Sequence, residues 1–275
     1  MKLAFSTLGC PNWSVEQVVE AAVRLGYDGV EVRGLRGNLD LATMPELNAE
    51  LPATAARFRD AGLAVVCLAV SATLGVRDRA ERRAQMAIVR RAIDVAAALE
   101  CPCIRVFGGY LPPGASRANM ADDIAQALTA LGGLAAPHGI RVLLETHDDF
   151  CRGQHAADVV DRVSGPGVGV VWDILHPYRC GEALADTVNY LGGHIGHVHV
   201  KDAVELSPTG FRPVLLGEGE VPVREALRLL LQTGYSGALS FEWEKAWYPE
   251  IPEPEVAFPQ FIRALRAILR SLPTQ

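Results

Sequence analysis

The 275-residue chain has no uninterrupted apolar run as long as a membrane span requires. It has no excess of basic residues either: Lys and Arg number 26 against 32 Asp and Glu, a net charge of −6. Nucleic-acid binders usually carry a basic face, so this balance argues against one. No basic stretch followed by a long apolar core precedes the first strand, so no signal peptide is expected and the protein reads as cytoplasmic. The cysteines (10, 67, 101, 103, 151 and 180) are scattered through an α/β pattern. They read as reduced thiols, Cys101-Pro102-Cys103 included, rather than as a disulfide framework or metal cluster. Also missing is a glycine-rich phosphate loop after the first strand. Leu8-Gly9-Cys10-Pro11-Asn12-Trp13 stands there instead, which argues against an open dinucleotide-binding sheet.

What is present is a regular alternation of strands and helices. Expected strands are Lys2–Thr7, Gly29–Arg33, Leu63–Val70, Cys103–Phe107, Arg141–Glu145, Val168–Asp173, Ile195–Lys201 and Ala238–Glu242. Each is followed by a helical pattern. Ser14 is a natural N-cap for a helix that ends at Gly26. Further helices are expected over about Pro45 to Ala61, Asp78 to Leu99, Arg117 to His138, Ala156 to Val163, Glu182 to Leu191, Pro222 to Gln232 and Glu255 to Leu272. A long loop is expected over Asp202 to Val221. Eight βα units in this length predict a single-domain (β/α)8 TIM barrel spanning residues 1–275.

In such a barrel the active site lies at the C-terminal ends of the strands. At the ends of four consecutive strands sit residues that bind hard cations: Glu145, Asp173, His199 and Glu242. Period-2 alternation puts His199 on the same face as His197. One imidazole and three carboxylates suit Mn²⁺, Mg²⁺, Co²⁺ or Zn²⁺ without any thiolate, and Mn²⁺ is the favoured ion. Three converging carboxylates also repel one another unless one takes a proton or a cation sits among them.

Beyond these ligands, several motifs together resemble the xylose isomerase-like TIM barrels, specifically the sugar phosphate isomerase/epimerase group. They are Thr7 to Trp13, Gly26-Tyr27-Asp28-Gly29-Val30-Glu31, Glu145-Thr146-His147, Trp172-Asp173 with His176, His197-Val198-His199 with Lys201-Asp202, Leu216-Gly217-Glu218-Gly219, and Gly234 to Gly237 leading to Ser240-Phe241-Glu242. The group includes ketose 3-epimerases, hydroxypyruvate isomerase and inosose dehydratase. The resemblance implies one divalent metal on Glu145, Asp173, His199 and Glu242, with Glu145 and Glu242 also moving protons. It implies a small sugar or polyol substrate and, often, a homodimer. The metal would polarise a carbonyl and stabilise an enediolate, while a glutamate removes the neighbouring proton. Loss of a β-hydroxyl in place of reprotonation would make a dehydratase of a cyclic ketone such as an inosose or dehydroshikimate.

Substrate contacts are expected from His147, His176, Lys201 and Arg212. His197 reads as a hydrogen-bonded core residue beneath the site. Glu31 either reaches the pocket floor or pairs with Arg33 or Arg105. Trp13, Trp247 and Tyr248 either wall the pocket or pack on the rim. An endonuclease of this barrel type would need extra histidines after the second to fourth strands, and none stands there. Glu218 and Glu220 lie where barrels often hold phosphate, which favours an unphosphorylated substrate.

Overall fold

A computed structural model describes residues 1–272. The strands are β1 (Lys2–Ser6), β2 (Gly29–Val32), β3 (Ala64–Thr73), β4 (Cys103–Phe107), β5 (Arg141–Glu145), β6 (Val168–Asp173), β7 (Ile195–Val200), β8 (Asp202–Ser207), β9 (Gly210–Val214) and β10 (Ala238–Phe241). Eight of them close into a parallel barrel in the order β1-β10-β7-β6-β5-β4-β3-β2. Strands buried on both faces should read as continuous apolar runs. Val170, Val171 and Trp172 in β6 are fully buried, as are Leu143 and Leu144 in β5.

The helices are α1 (Val15–Leu25), α2 (Leu51–Asp60), α3 (Arg79–Ala98), α4 (Arg117–Ala135), α5 (Gly153–Val160), α6 (Leu175–Arg179), α7 (Leu184–Leu191), α8 (Val223–Gln232) and α9 (Pro254–Ser271). Between barrel and helices lies one large apolar core. A small inner cluster of Cys67, Cys103, Leu143 and Val171 fills the barrel itself. Ser14 and Gln17 form a reciprocal capping box at the start of α1, and Gly26 ends it in the left-handed region at φ 75°. Among the described residues no helix is long and apolar enough to cross a membrane.

Three elements differ from expectation. The helix foreseen over Pro45–Ala61 is a 3-10 turn, Pro45–Leu47, and then α2. Asn48 breaks it: its backbone leaves the helical region, and its amide nitrogen donates to the carbonyls of Leu41 and Met44. Pro52 then serves in the first turn of α2, where a missing N–H costs nothing. The stretch Asp202–Val221 is not all loop, because β8 and β9 pair as an antiparallel hairpin. The short helix α6, also unforeseen, starts directly after β6 because Asp173 Oδ1 accepts from the backbone N–H of Leu175 (2.8 Å) and of His176 (3.4 Å).

Candidate metal centre

Register brings the four strand ends together. Asp173 stands beside His199 in the β6/β7 pairing, and His199 beside Ser240 in the β7/β10 pairing. Glu242 follows two residues on from Ser240, and Glu145 closes β5 next door. One ligand atom each from Glu145, Asp173, His199 and Glu242 lies within 4.8 Å of all the others, and all four residues are buried.

His199 is the hinge of the arrangement. Its Nε2 stands 2.9 Å from Glu31 Oε2, and its Nδ1 stands 3.1 Å from Glu145 Oε1, 3.4 Å from Glu242 Oε1 and 3.9 Å from Asp173 Oδ2. A carboxylate on one ring nitrogen fixes the tautomer and aims the other at a metal. Glu31 also accepts from His197 Nε2 at 2.7 Å. It therefore pairs with two histidines, not with the arginines considered as its partners. Arg105 instead sets Glu145, with its Nε 3.2 Å from Oε2. Arg105 was legible as a lone charge at an inward position of β4, two residues from Cys103.

Lys201 is fully buried in the cluster. Its Nζ stands 2.8 Å from Asp173 Oδ2, 2.6 Å from Glu242 Oε2 and 2.5 Å from Glu244 Oε1. Glu242 thus divides its oxygens, Oε2 to the ammonium and Oε1 towards His199.

The charges respond to this crowding. Burial, with Glu242 and Glu145 nearby and only Lys201 and His199 opposing, pushes Asp173 up to about 7. Burial would also raise Glu242, but His199 and Lys201 outweigh it and hold Glu242 well below the usual carboxylate range. Glu145 is likewise lowered, against its burial, by Arg105 and His199. Burial would lower His199, yet Glu242, Glu31 and Glu145 hold it well above an ordinary imidazole.

Buried carboxylates here are Glu31, Glu145, Asp173, Glu242 and Glu244, against the buried cations Arg33, Arg105 and Lys201. With the imidazoles neutral, as metal binding requires of His199, this leaves an excess of negative charge that one divalent ion would offset. The donor set fits such an ion. Two ligands about 2.1 Å from a metal stand at most about 4.2 Å apart, so atoms within 4.8 Å need only small rotations to share one. The neighbouring trio Glu31, Cys67 and His197 is equally compact. It reads as a supporting layer, because Glu31 is occupied by the imidazoles and burial keeps the Cys67 thiol protonated.

A cavity of about 400 Å³ opens over the cluster, reached by Glu145, Glu242, His147, His176, Arg179 and Phe211. His176 is buried, with Nε2 3.6 Å from Asp173 Oδ2 and Nδ1 accepting from Arg179 Nε at 2.9 Å. His147 lines the same wall, its Nδ1 2.7 Å from Asp148 Oδ1 and its ring 4.6 Å from that of His176. Arg212 is placed elsewhere. It is exposed on β9, paired with Glu205 at 2.9 Å, and does not line this cavity. The arginine that reaches the cavity beside His176 is Arg179. Nothing in the sequence marked it, because its helix α6 was itself unforeseen. Trp247 and Tyr248 line the cavity, whereas Trp13 lines an adjoining one.

Comparison with known proteins agrees with this architecture. A family model described as the xylose isomerase-like TIM barrel matches residues 19–268. The fructoselysine 3-epimerase of Shigella flexneri is 25% identical over 98% of this chain and 98% of its own length. The inosose isomerase of Halalkalibacterium halodurans is 24% identical over 93% of this chain and 92% of its own. A crystal structure of the IOLI protein with a zinc atom superposes with a TM-score of 0.85 at 18% identity, covering 100% of both chains. The chain belongs to the xylose isomerase-like TIM-barrel family.

Proposed function

We propose that the protein is a divalent-metal-dependent isomerase or epimerase of a small keto sugar or polyol. The observation that carries this reading is His199, held by Glu31 on one nitrogen while the other faces Glu145, Glu242 and Asp173. The relatives named epimerase and isomerase, and the zinc atom in the IOLI structure, support it. A divalent ion held by Glu145, Asp173, His199 and Glu242, Mn²⁺ in our reading, would polarise a substrate carbonyl.

The chain's own residues supply the rest. Glu145 and Glu242 both reach the cavity and are both held ionised, as a base needs to be. One takes the proton from the carbon beside the carbonyl. The other, having first taken a proton from solvent, delivers it to the opposite face of the planar enediolate, which inverts that carbon. Lys201, on Glu242 Oε2, keeps that carboxylate oriented. His176 and His147 form a wall on which substrate hydroxyls bond, and Arg179 fixes the His176 ring.

The substrate is unphosphorylated. Several backbone N–H groups in the loop after β7, a region where barrels often bind phosphate, are already taken. Asp202 Oδ2 accepts from Gly217 and Gly219 at 2.8 and 3.0 Å, and its Oδ1 from Val221 at 3.1 Å. Glu218 and Glu220 add repulsion there, and Arg212 is engaged by Glu205.

The test is solvent exchange. Protein loaded with Mn²⁺ is incubated with a panel of unphosphorylated ketoses in D₂O. Deuterium should enter beside the carbonyl without loss of water, and Glu145→Gln or Glu242→Gln should slow this about 10²–10⁴-fold while the fold is retained. Loss of water instead of exchange would make the enzyme a dehydratase. No turnover of any ketose would remove the proposal.

A further inference from the structure

The six cysteines are free thiols, but two of them touch. Cys151 Sγ and Cys180 Sγ stand 2.8 Å apart, although 29 residues separate them in the chain. That is inside ordinary contact for two sulfurs, and a covalent bond needs only about 0.8 Å more approach, to roughly 2.05 Å. Cys101 and Cys103 make no such pair; their thiols donate to the carbonyls of Cys103 and Val66 inside the fold.

The two sulfurs come from different elements on one wall of the cavity. Cys151 closes the 3-10 turn Asp148–Phe150 that follows His147. Cys180 caps α6, directly after Arg179 and four residues after His176. Arg152 Nη2 donates to the Cys180 carbonyl at 2.9 Å, so the two segments are already latched. Cys151 is half-buried, and Cys180 keeps 9% exposure.

We propose that Cys151 and Cys180 form a reversible dithiol–disulfide site, oxidised by hydrogen peroxide, that ties the segment after β5 to α6 beside the cavity. Cys180 is the sulfur that reacts first. A hydrogen bond from Cys151 lowers it to about 6 against its burial, and two cations stand by it: Arg152 bonds the Cys180 carbonyl and Arg179 directly precedes it in α6. The Cys180 thiolate attacks a peroxide oxygen, breaking the O–O bond and releasing hydroxide, which takes up a proton to become water. The resulting sulfenic acid is attacked by the Cys151 sulfur, which forms the S–S bond and releases the second water as the thiol loses its proton. Two thiols are oxidised and one peroxide is reduced. An external dithiol reverses the step by exchange.

The experiment is peroxide titration of the full chain, read by intact mass under denaturing, non-reducing conditions. Wild-type protein should lose about 2 Da, the two thiol hydrogens, and regain them with dithiothreitol. Peptide mapping should join Cys151 to Cys180. Closing this loop should raise the Tm by several degrees, reversibly. Cys151→Ser should stop at a sulfenic acid on Cys180 that dimedone traps. An unchanged wild-type mass, or a bond between other cysteines, would overturn the proposal without depending on whether any variant folds.

Discussion

At the scale of single residues, His199 shows how an imidazole is aimed as well as placed. Its imidazole is oriented by Glu31, which lies in a different quarter of the barrel and accepts from Nε2. Replacing a partner of this kind typically weakens metal binding 10–100-fold. Glu31→Gln should therefore raise the Mn²⁺ Kd by about that factor, measured by competition with a chromophoric chelator, while circular dichroism stays native. Protons should compete with the ion as well. Without metal, Asp173 sits at about 7 and His199 well above an ordinary imidazole, yet both must shed protons to act as ligands. Binding should thus release protons, and affinity should fall steadily as pH drops from 8 to 6. Calorimetry in two buffers of different ionisation enthalpy reads the proton count directly; a flat profile would contradict the assigned ligands. Most of these residues were legible because a charge at the end of an apolar strand is conspicuous. Arg179 and the role of Glu31 were not, since both depend on which elements meet in three dimensions.

At the scale of elements, the hairpin β8–β9 matters most. Its strands are short and partly polar, so their sequence resembles a loop, and Arg212 there reads as a substrate contact. Pairing instead turns Arg212 outward to Glu205 and brings Phe211 over the cavity, 5.9 Å from both His176 and Tyr248 and 5.5 Å from Lys201 Nζ. Phe211→Ala should raise KM several-fold and leave kcat nearly unchanged, since the ring lines the cavity but carries no group that could move a proton; steady-state kinetics separate the two. The connection back to the barrel hangs on Asp202, which accepts from the backbone N–H of Ala203, Gly217, Gly219 and Val221. Gly219 has to be glycine, because a Cβ there would collide with the Asp202 carboxylate. Asp202→Ala leaves the buried N–H groups of Ala203 and Val221 unpaired, with the part-buried ones of Gly217 and Gly219, and should cost about 3 kcal/mol, seen as a lower denaturant midpoint at constant slope.

At the scale of the whole molecule, the barrel gathers more buried acid than buried base at its mouth. A divalent ion bound there as proposed would offset that excess and stabilise the fold. An ion at 100 times its Kd should add about 2.7 kcal/mol to stability, and a chelator should remove it, both visible as Tm shifts. The closed barrel itself was legible from eight repeats of strand and helix, because the patterns are long and repeated. What the repeats do not carry is the rotational position of each strand, which decides which side chains face one another. The most direct test is therefore positional. Crystals grown with Mn²⁺ and measured at the manganese absorption edge should show one anomalous peak bounded by Glu145, Asp173, Glu242 and His199 Nδ1, with Glu31 still on Nε2. A peak elsewhere, or an ion-bound structure in which His199 Nδ1 points away from the three carboxylates, would contradict the account.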